Sequence, residues 1–289
     1  MPSPAAGRSG GTEPGPCRIL LLAALPWEVR PFLRRSAARP RLDLGLPAWE
    51  FALGEGAGLA ALSEMGVQAS RRSAAALLAA WRPEVLVSLG FGGALTPEVP
   101  PGVLVLGESF WRYDPETQAL KAVAAPAPPR PVPALLAGLQ GAGLPVMTGA
   151  VVTTPQIIDK GRQGGPLKSL RHPVLDLETA ALAEVAAAAG LFFVSLRAIT
   201  DGAGEEIPGF LRVAAGSSAL PGVGAALRWL AADPRRLVPL LRLWRRSRRG
   251  AQVLAQALVA LLPLLFARGC ELQNQPAKKG KIDEDSHPT

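Results

Sequence analysis

The run ILLLAAL at residues 19–25 constrains this chain more than any other feature, because its apolar residues follow one another with no polar alternation. A strand with one wet face would alternate, so a continuous run of this length fits a strand covered on both sides. Pro26 with Trp27, Glu28 and Val29 then turns into a helix. The same grammar repeats downstream. Residues 70–81 (SRRSAAALLAAW) read as an alanine-rich helix stopped by Arg82-Pro83, after which VLVSLG (85–90) is a buried strand running into the turn FGGAL. VLVLGES (103–109) and GAVVTT (149–154) read as further strands. LDLETAALAEVAAAAG (175–190) gives a short strand or turn and then a helix closed by Gly190, and LFFVSLRAITDGAG (191–204) gives a strand ending in a loop. Strands alternating with helices predict an α/β fold, a three-layer sandwich around a mixed, mostly parallel central sheet, with a helical C-terminal extension.

The organisation around that core follows from composition. Residues 1–17 are Pro, Gly, Ser and Ala with almost no bulky side chains, and cannot repay the entropy of ordering. The folded domain is expected over 18–268, with 207–268 as the helical extension, 121–133 as a Pro/Ala linker on the surface and 269–289 as a polar tail. With 289 residues, 48% of them hydrophobic, the chain can bury one large core or two ordinary ones. No internal repeat is visible.

The formal charge of +8 is concentrated in one place. Arg235, Arg236, Arg242, Arg245, Arg246, Arg248, Arg249 and Arg268 lie in a stretch without Asp or Glu, and the rest of the chain is close to balanced. A nucleic-acid binder spreads its cations over a docking face and adds aromatic or groove-reading elements, whereas aromatics are 5% here with a single tyrosine, so no nucleic-acid partner is expected. The apolar run 257–267 is too short to cross a bilayer and contains Pro263, and the residues before Ile19 do not make a signal peptide. Cys17 and Cys270 lie near opposite ends in segments that read as flexible. They form neither metal cluster nor redox pair and point to a reducing cytoplasm. With only His172 and His287, carboxylates must carry any acid–base chemistry, and neither a metal nor another cofactor is expected.

Three carboxylates follow strand ends, where α/β folds gather their reactive groups: Glu28, Glu178 and Asp201. Each is set in apolar sequence, where an ionised group is costly without a partner. Each also has a plainer role available, as a first-turn helix acid, a helix N-terminal acid or a loop cap. LGEGAG (53–58) and LGFGGAL (89–95), which contains Gly90, Phe91 and Gly92, are neither a dinucleotide fingerprint nor a phosphate loop. A glycine turn after a strand allows a ligand close to the backbone, and simple turn-making accounts for it equally well.

In order, AALPWEV (23–29), RPEVLVSLGFGGAL (82–95), PGVLVLGES (101–109), LDLETAALAEV (175–185) and FVSLRAITDGA (193–203) resemble the successive signatures of the nucleoside phosphorylase/nucleosidase superfamily, which includes methylthioadenosine/adenosylhomocysteine nucleosidase. The resemblance implies cleavage of an N-glycosidic bond through an oxocarbenium-like ribose, with a proton for the leaving base and a nucleophile for the anomeric carbon. It implies that Asp201 protonates N7 of a purine, with Thr200 orienting it, that Glu178 binds the ribose hydroxyls and Leu177 packs on the sugar, and that Glu28 activates water. Gly90, Phe91 and Gly92 would contact the substrate, and Gln156 and Ile157, in the loop Thr154-Pro155-Gln156-Ile157, would line the base pocket without the stacking aromatic often found there. It also implies a homo-oligomer.

The phosphorylase branch holds phosphate with arginine and serine, whereas here Ser88-Leu89-Gly90-Phe91 replaces that turn and Glu28 occupies the early position, favouring water. Phosphorolysis, with phosphate as co-substrate, is the alternative, and a non-catalytic nucleoside-binding module at a membrane surface is a third reading. Gly66-Val67-Gln68 also departs from the family's Gly-x-Gly. The segment after Ile207, with IPGF and ADPRRLVPLLRL, is similar to a hopanoid-associated branch, which implies adenine release from a purine nucleoside with a bulky lipid 5′ substituent such as adenosylhopane. Leu237, Val238, Leu240, Leu241, Leu243 and Trp244, interleaved with arginines, form an apolar surface edged with cations. Residues 235–249 can lie on the anionic inner face of a membrane, or bury their leucines in the core and leave the arginines solvated; both readings stay open here.

Overall fold

The computed structural model describes residues 17–53, 56–207, 233 and 237–272. In chain order the elements are β1 (Arg18–Ala23), α1 (Pro26–Arg35), β2 (Arg39–Arg41), β3 (Ala48–Leu53), β4 (Gly56–Leu62), α2 (Val67–Trp81) and β5 (Val85–Ala94). There follow β6 (Leu104–Asp114), β7 (Ala119–Val123), α3 (Val132–Gly141), β8 (Val146–Thr153), α4 (Lys160–Gln163), a 3₁₀ turn (Gly165–Ser169), β9 (Val174–Asp176), α5 (Thr179–Ala188), β10 (Phe192–Asp201) and α6 (Leu237–Leu272).

The strands form one mixed ten-stranded sheet in the order β10-β6-β8-β9-β5-β1-β4-β3-β2, with β7 paired to β6. β5 also pairs in parallel with β10, so β5, β10, β6, β8 and β9 close into a ring of hydrogen-bonded neighbours. β1 shows why its apolar run is continuous. Ile19 and Leu21 pack into one core with α1, α3 and α6, while Leu20 and Leu22 pack into another with α2 and α5. That is the three-layer arrangement, a sheet between two helical layers.

α6 contributes the largest single apolar stripe. Leu254, Leu258, Leu261 and Leu265 recur at helical spacing, are fully buried, and are joined by Leu262 and Phe266 in the core. Burying a leucine in this way contributes about 1.5–3 kcal/mol. The sequence suggested an apolar run too short to span a membrane. The helix instead continues through Pro263 for 36 residues, and is long and apolar enough by length and composition to cross one. More than half of its most apolar window is buried within the protein, as in a core helix.

Several boundaries move. Cys17, expected in a flexible segment, is buried where β1 begins and belongs to the core. Part of the expected linker 121–133 is β7, an edge strand paired antiparallel to β6, and the linker ends where α3 starts. The turn FGGAL is the second half of β5. α6 runs past residue 268 into the expected tail, whereas residues 1–16, 54–55, 208–232, 234–236 and 273–289, on which the other segment expectations and the Arg235 and Arg236 end of the 235–249 patch fall, lie outside the described residues.

Candidate active site

The carboxyl ends of β1, β5, β9 and β10 meet around a cavity of about 240 Å³. Pro26 at the first position of α1 has the backbone angle a helix start needs, which brings Glu28 into the first turn beside β5. Glu28 is 3% exposed, and its two oxygens accept from the backbone N–H of Leu25 at 2.8 Å and of Phe91 at 2.9 Å. Gly90 makes this possible, since a Cβ there would stand 2.9 Å from Glu28 Oε1. Burial pushes the Glu28 carboxyl up to about 7, the two backbone donors opposing part of the rise.

Glu178 stands at the N-terminus of α5 and accepts from the Gly66 N–H at 3.0 Å. It is half-buried, yet the surface it keeps opens onto the cavity. Burial, followed by the charge of Asp176, raises its carboxyl to about 8. Asp176 itself sits in a polar floor beneath the cavity. It pairs with the buried Arg197, whose Nε and Nη2 lie 3.0 and 2.7 Å from Oδ2, and it accepts from Thr153 at 2.6 Å and from the Thr179 N–H at 2.9 Å. Arg197 also donates to Ser88 at 2.7 Å, so the one arginine fixes strands β5, β9 and β10 together.

Asp201 ends β10. Ile199 pairs with Gly92 and Asp201 with Gly93, so Thr200 is an extra residue, a bulge that re-aims the strand's last side chains. The Thr200 hydroxyl donates to Asp201 Oδ1 at 2.9 Å, and the ammonium of Lys160 donates to Oδ2. Burial raises the Asp201 carboxyl, against the opposing pull of Lys160 and Thr200. At Gly93 a Cβ would stand 2.5 Å from Asp201 Oδ2 and 3.1 Å from Lys160 Nζ, so this position holds the pair by having no side chain.

The cavity thus collects Glu28, Phe91, Gly92, Ile157, Leu177, Glu178, Thr200 and Asp201, all singled out from the sequence. Two expected residues are elsewhere. Gly90 supports Glu28 from behind and does not line the cavity, and Gln156 is exposed and lines a neighbouring, more polar cavity beside Arg72 and Arg112. Lys160, Asp176, Met65, Trp27, Leu243 and Ser247 also line the site and were not anticipated there as ligand contacts. An arginine inside the apolar strand FFVSLRAITD was a readable sign of a buried ion pair; nothing around Lys160 in IIDKGR signals its burial. Among the described residues no group of three His, Cys, Asp or Glu side chains is arranged to hold a metal ion.

The sequence model of the phosphorylase superfamily matches residues 18–220. No curated protein matches the sequence. Among solved structures, the fold is similar to futalosine hydrolase of Helicobacter pylori strain 26695, with TM-score 0.62, 16% identity, and 86% of this chain and 98% of that one covered. It is similar to H. pylori 5′-methylthioadenosine/S-adenosyl homocysteine nucleosidase, with TM-score 0.63, 15% identity, and 87% and 100% covered. It is similar to Arabidopsis thaliana 5′-methylthioadenosine nucleosidase, with TM-score 0.65, 13% identity, and 89% and 99% covered. Identities this low speak to the fold alone.

Proposed function

This chain belongs to the phosphorylase superfamily, and from that premise we propose that it is an enzyme hydrolysing the N-glycosidic bond of a purine nucleoside that carries an apolar 5′ substituent. The observation that carries this reading is the placing of Glu28, Glu178 and Asp201 around one cavity, each carboxyl shifted upward by burial. In this reading Asp201, held by Thr200, protonates N7 of the leaving base. Glu178 binds the ribose hydroxyls over Leu177, and Glu28 takes a proton from the water that attacks the anomeric carbon. No cofactor enters the scheme.

Water is preferred to phosphate for an electrostatic reason. A bound phosphate needs cationic, multidentate donors. Among the described residues lining the cavity the one cation is Lys160, and it is engaged with Asp201 and with the Gly202 carbonyl at 2.9 Å. Arg197 is committed to Asp176, Ser88 and Thr179. Glu28, with a carboxylate charge, would repel phosphate from the remaining space.

The cavity is smaller than the ~300–1,000 Å³ of ordinary small-molecule sites, so a large 5′ group must leave through its opening. Trp27 and Leu243 line that cavity, and Trp27 is 42% exposed. On the same stretch of α6 as Leu243, Leu237, Val238, Leu241 and Trp244 are exposed, as are Arg242, Arg245, Arg248 and Arg249. This favours the apolar, cation-edged surface over the fully buried alternative, and with it a site that takes its substrate at an anionic lipid surface. Adenosylhopane, releasing adenine, is the most specific form of the proposal.

Adenosylhopane and methylthioadenosine, each supplied with and without phosphate, test it. Free base and free sugar in phosphate-free buffer are expected. Strict phosphate dependence with a ribose-1-phosphate product would establish phosphorolysis instead, and tight base binding without cleavage would establish a binding module.

A further inference from the structure

Lys160 is 4% exposed, at the start of the short α4, and its ammonium has few places to put its charge. It donates to Asp201 Oδ2 and to the Gly202 carbonyl. The second oxygen of Asp201 accepts from the Thr200 hydroxyl. Both oxygens are thus engaged, Oδ1 with the Thr200 hydroxyl and Oδ2 with Nζ, so an Nζ–H bond is aimed at the carboxyl that the proposed reaction needs protonated. The other charged groups nearby do not compete for this role. Glu206 accepts from the Lys160 backbone N–H at 3.1 Å, Glu205 is paired with Arg246 and Arg242, and Glu28 and Glu178 line other parts of the cavity.

We infer that Lys160 is the source of the proton that Asp201 hands to the departing purine, the two working as a relay. The inference rests on the proposed function and deepens it. As the Nζ–H bond breaks, a bond from that hydrogen to Oδ2 forms. That Oδ2–H bond breaks in turn as N7 takes the proton, which returns Asp201 to its carboxylate, and the C1′–N9 bond breaks with its electron pair kept by the base. Water supplies the oxygen to C1′ and loses a proton to Glu28. Glu28 then returns that proton to solvent and the Lys160 amine takes one back, so protons balance over the cycle. Lys160 acts through Asp201 and need not touch the substrate.

Two physical features favour the transfer. Moving the proton along this contact leaves no separated charge behind in a poorly solvated site, and burial already raises the Asp201 carboxyl. An ammonium has three N–H donors, of which two are used here. Because Lys160 lines the cavity, water can reach the neutral amine and recharge it.

The test compares two substitutions that a structural role and a relay rank in opposite order. Lys160→Arg keeps the positive charge but cannot release a proton, since guanidinium is not deprotonated in proteins. Lys160→Met removes the counter-charge and leaves buried Asp201 to hold its own proton. The relay predicts that kcat falls about a hundredfold in Lys160→Arg, with the affinity for free base unchanged by calorimetry. It predicts a smaller loss in Lys160→Met at acidic pH, with activity disappearing at lower pH on the alkaline side than in the wild type. If Lys160→Arg stays near wild type, Lys160→Met is worst and the alkaline limb does not move, Lys160 is only a counter-charge and the relay is wrong. Should Lys160→Arg not fold, the alkaline limb of Lys160→Met decides alone. Base release by the wild type separates the two claims: with none from any purine nucleoside the functional reading falls and takes the relay with it, whereas release with the wrong ranking removes the relay only.

Discussion

Replacing Glu28 by Gln should cost activity and change how stability depends on pH, and the second effect can be worked from the structure. The Glu28 carboxyl is raised from 4.5 to about 7 by burial. A carboxyl raised in the folded state contributes stability that is fully present below the unfolded value and lost as pH rises through the folded one. The wild type therefore loses about 3 kcal/mol between pH 4.5 and pH 7 from this group, at 1.36 kcal/mol per unit. Glutamine does not titrate, but its amide must face one of the two backbone donors, Leu25 N–H or Phe91 N–H, and forfeits one hydrogen bond, about 1 kcal/mol. Glu28→Gln should thus be slightly less stable than wild type at pH 5 and about 2 kcal/mol more stable at pH 8. At ~2–4 °C per kcal/mol for a chain of this size, that is a Tm gain of about 4–8 °C at pH 8. Removing the Glu28 charge also relieves Glu178, which acts in the same direction. Thermal unfolding of both proteins from pH 5 to pH 8 measures the crossing. A stability difference that does not change with pH would show that Glu28 is not held in a desolvating site, and an unaltered kcat would remove it as the base.

Other perturbations report on other parts of the site. Asp201→Asn should nearly abolish base release, a loss of about 10²–10⁴-fold in kcat, and an undiminished rate would take Asp201 out of the mechanism. Gly93→Ala drives a methyl to within 2.5 Å of Asp201 Oδ2 and 3.1 Å of Lys160 Nζ, so it should cost about 1–3 kcal/mol in stability and lower kcat; a silent substitution would mean that the pair is not confined there. Arg245, Arg248 and Arg249, all exposed, should each contribute about 1 kcal/mol to binding of vesicles rich in anionic lipid. Changing all three to Glu should abolish co-sedimentation, and unchanged recovery would return them to an ordinary solvated helix face.

The parts of this fold that could be read from sequence are those whose signal is local. A strand covered on both faces shows itself as an apolar run without alternation, and β1, β5 and β10 were visible for that reason, Ser88, Ser195 and Arg197 being the polar interruptions. Glu28 and Asp201 were found at the ends of such runs, and Glu178 at the start of the alanine-rich helix α5. β7 was hidden because an edge strand with most of its side chains exposed has no apolar pattern, only a partner, and the partner is β6. The second half of β5 read as a turn because glycines normally make turns; here they leave room for Glu28 at Gly90 and for Asp201 and Lys160 at Gly93, a requirement that exists only in three dimensions. Lys160 is the clearest case. Its neighbours in the chain are polar, its partner is 41 residues away, and only the folded chain shows it to be buried against the proposed acid.

The most direct test of the central claim is to incubate the protein with a purine nucleoside bearing an apolar 5′ group in phosphate-free buffer made with oxygen-18 water. Hydrolysis activated by Glu28 predicts free purine together with a free sugar carrying the label at its anomeric carbon. No purine release, or release that begins only when phosphate is added and yields an unlabelled ribose-1-phosphate product, would contradict it.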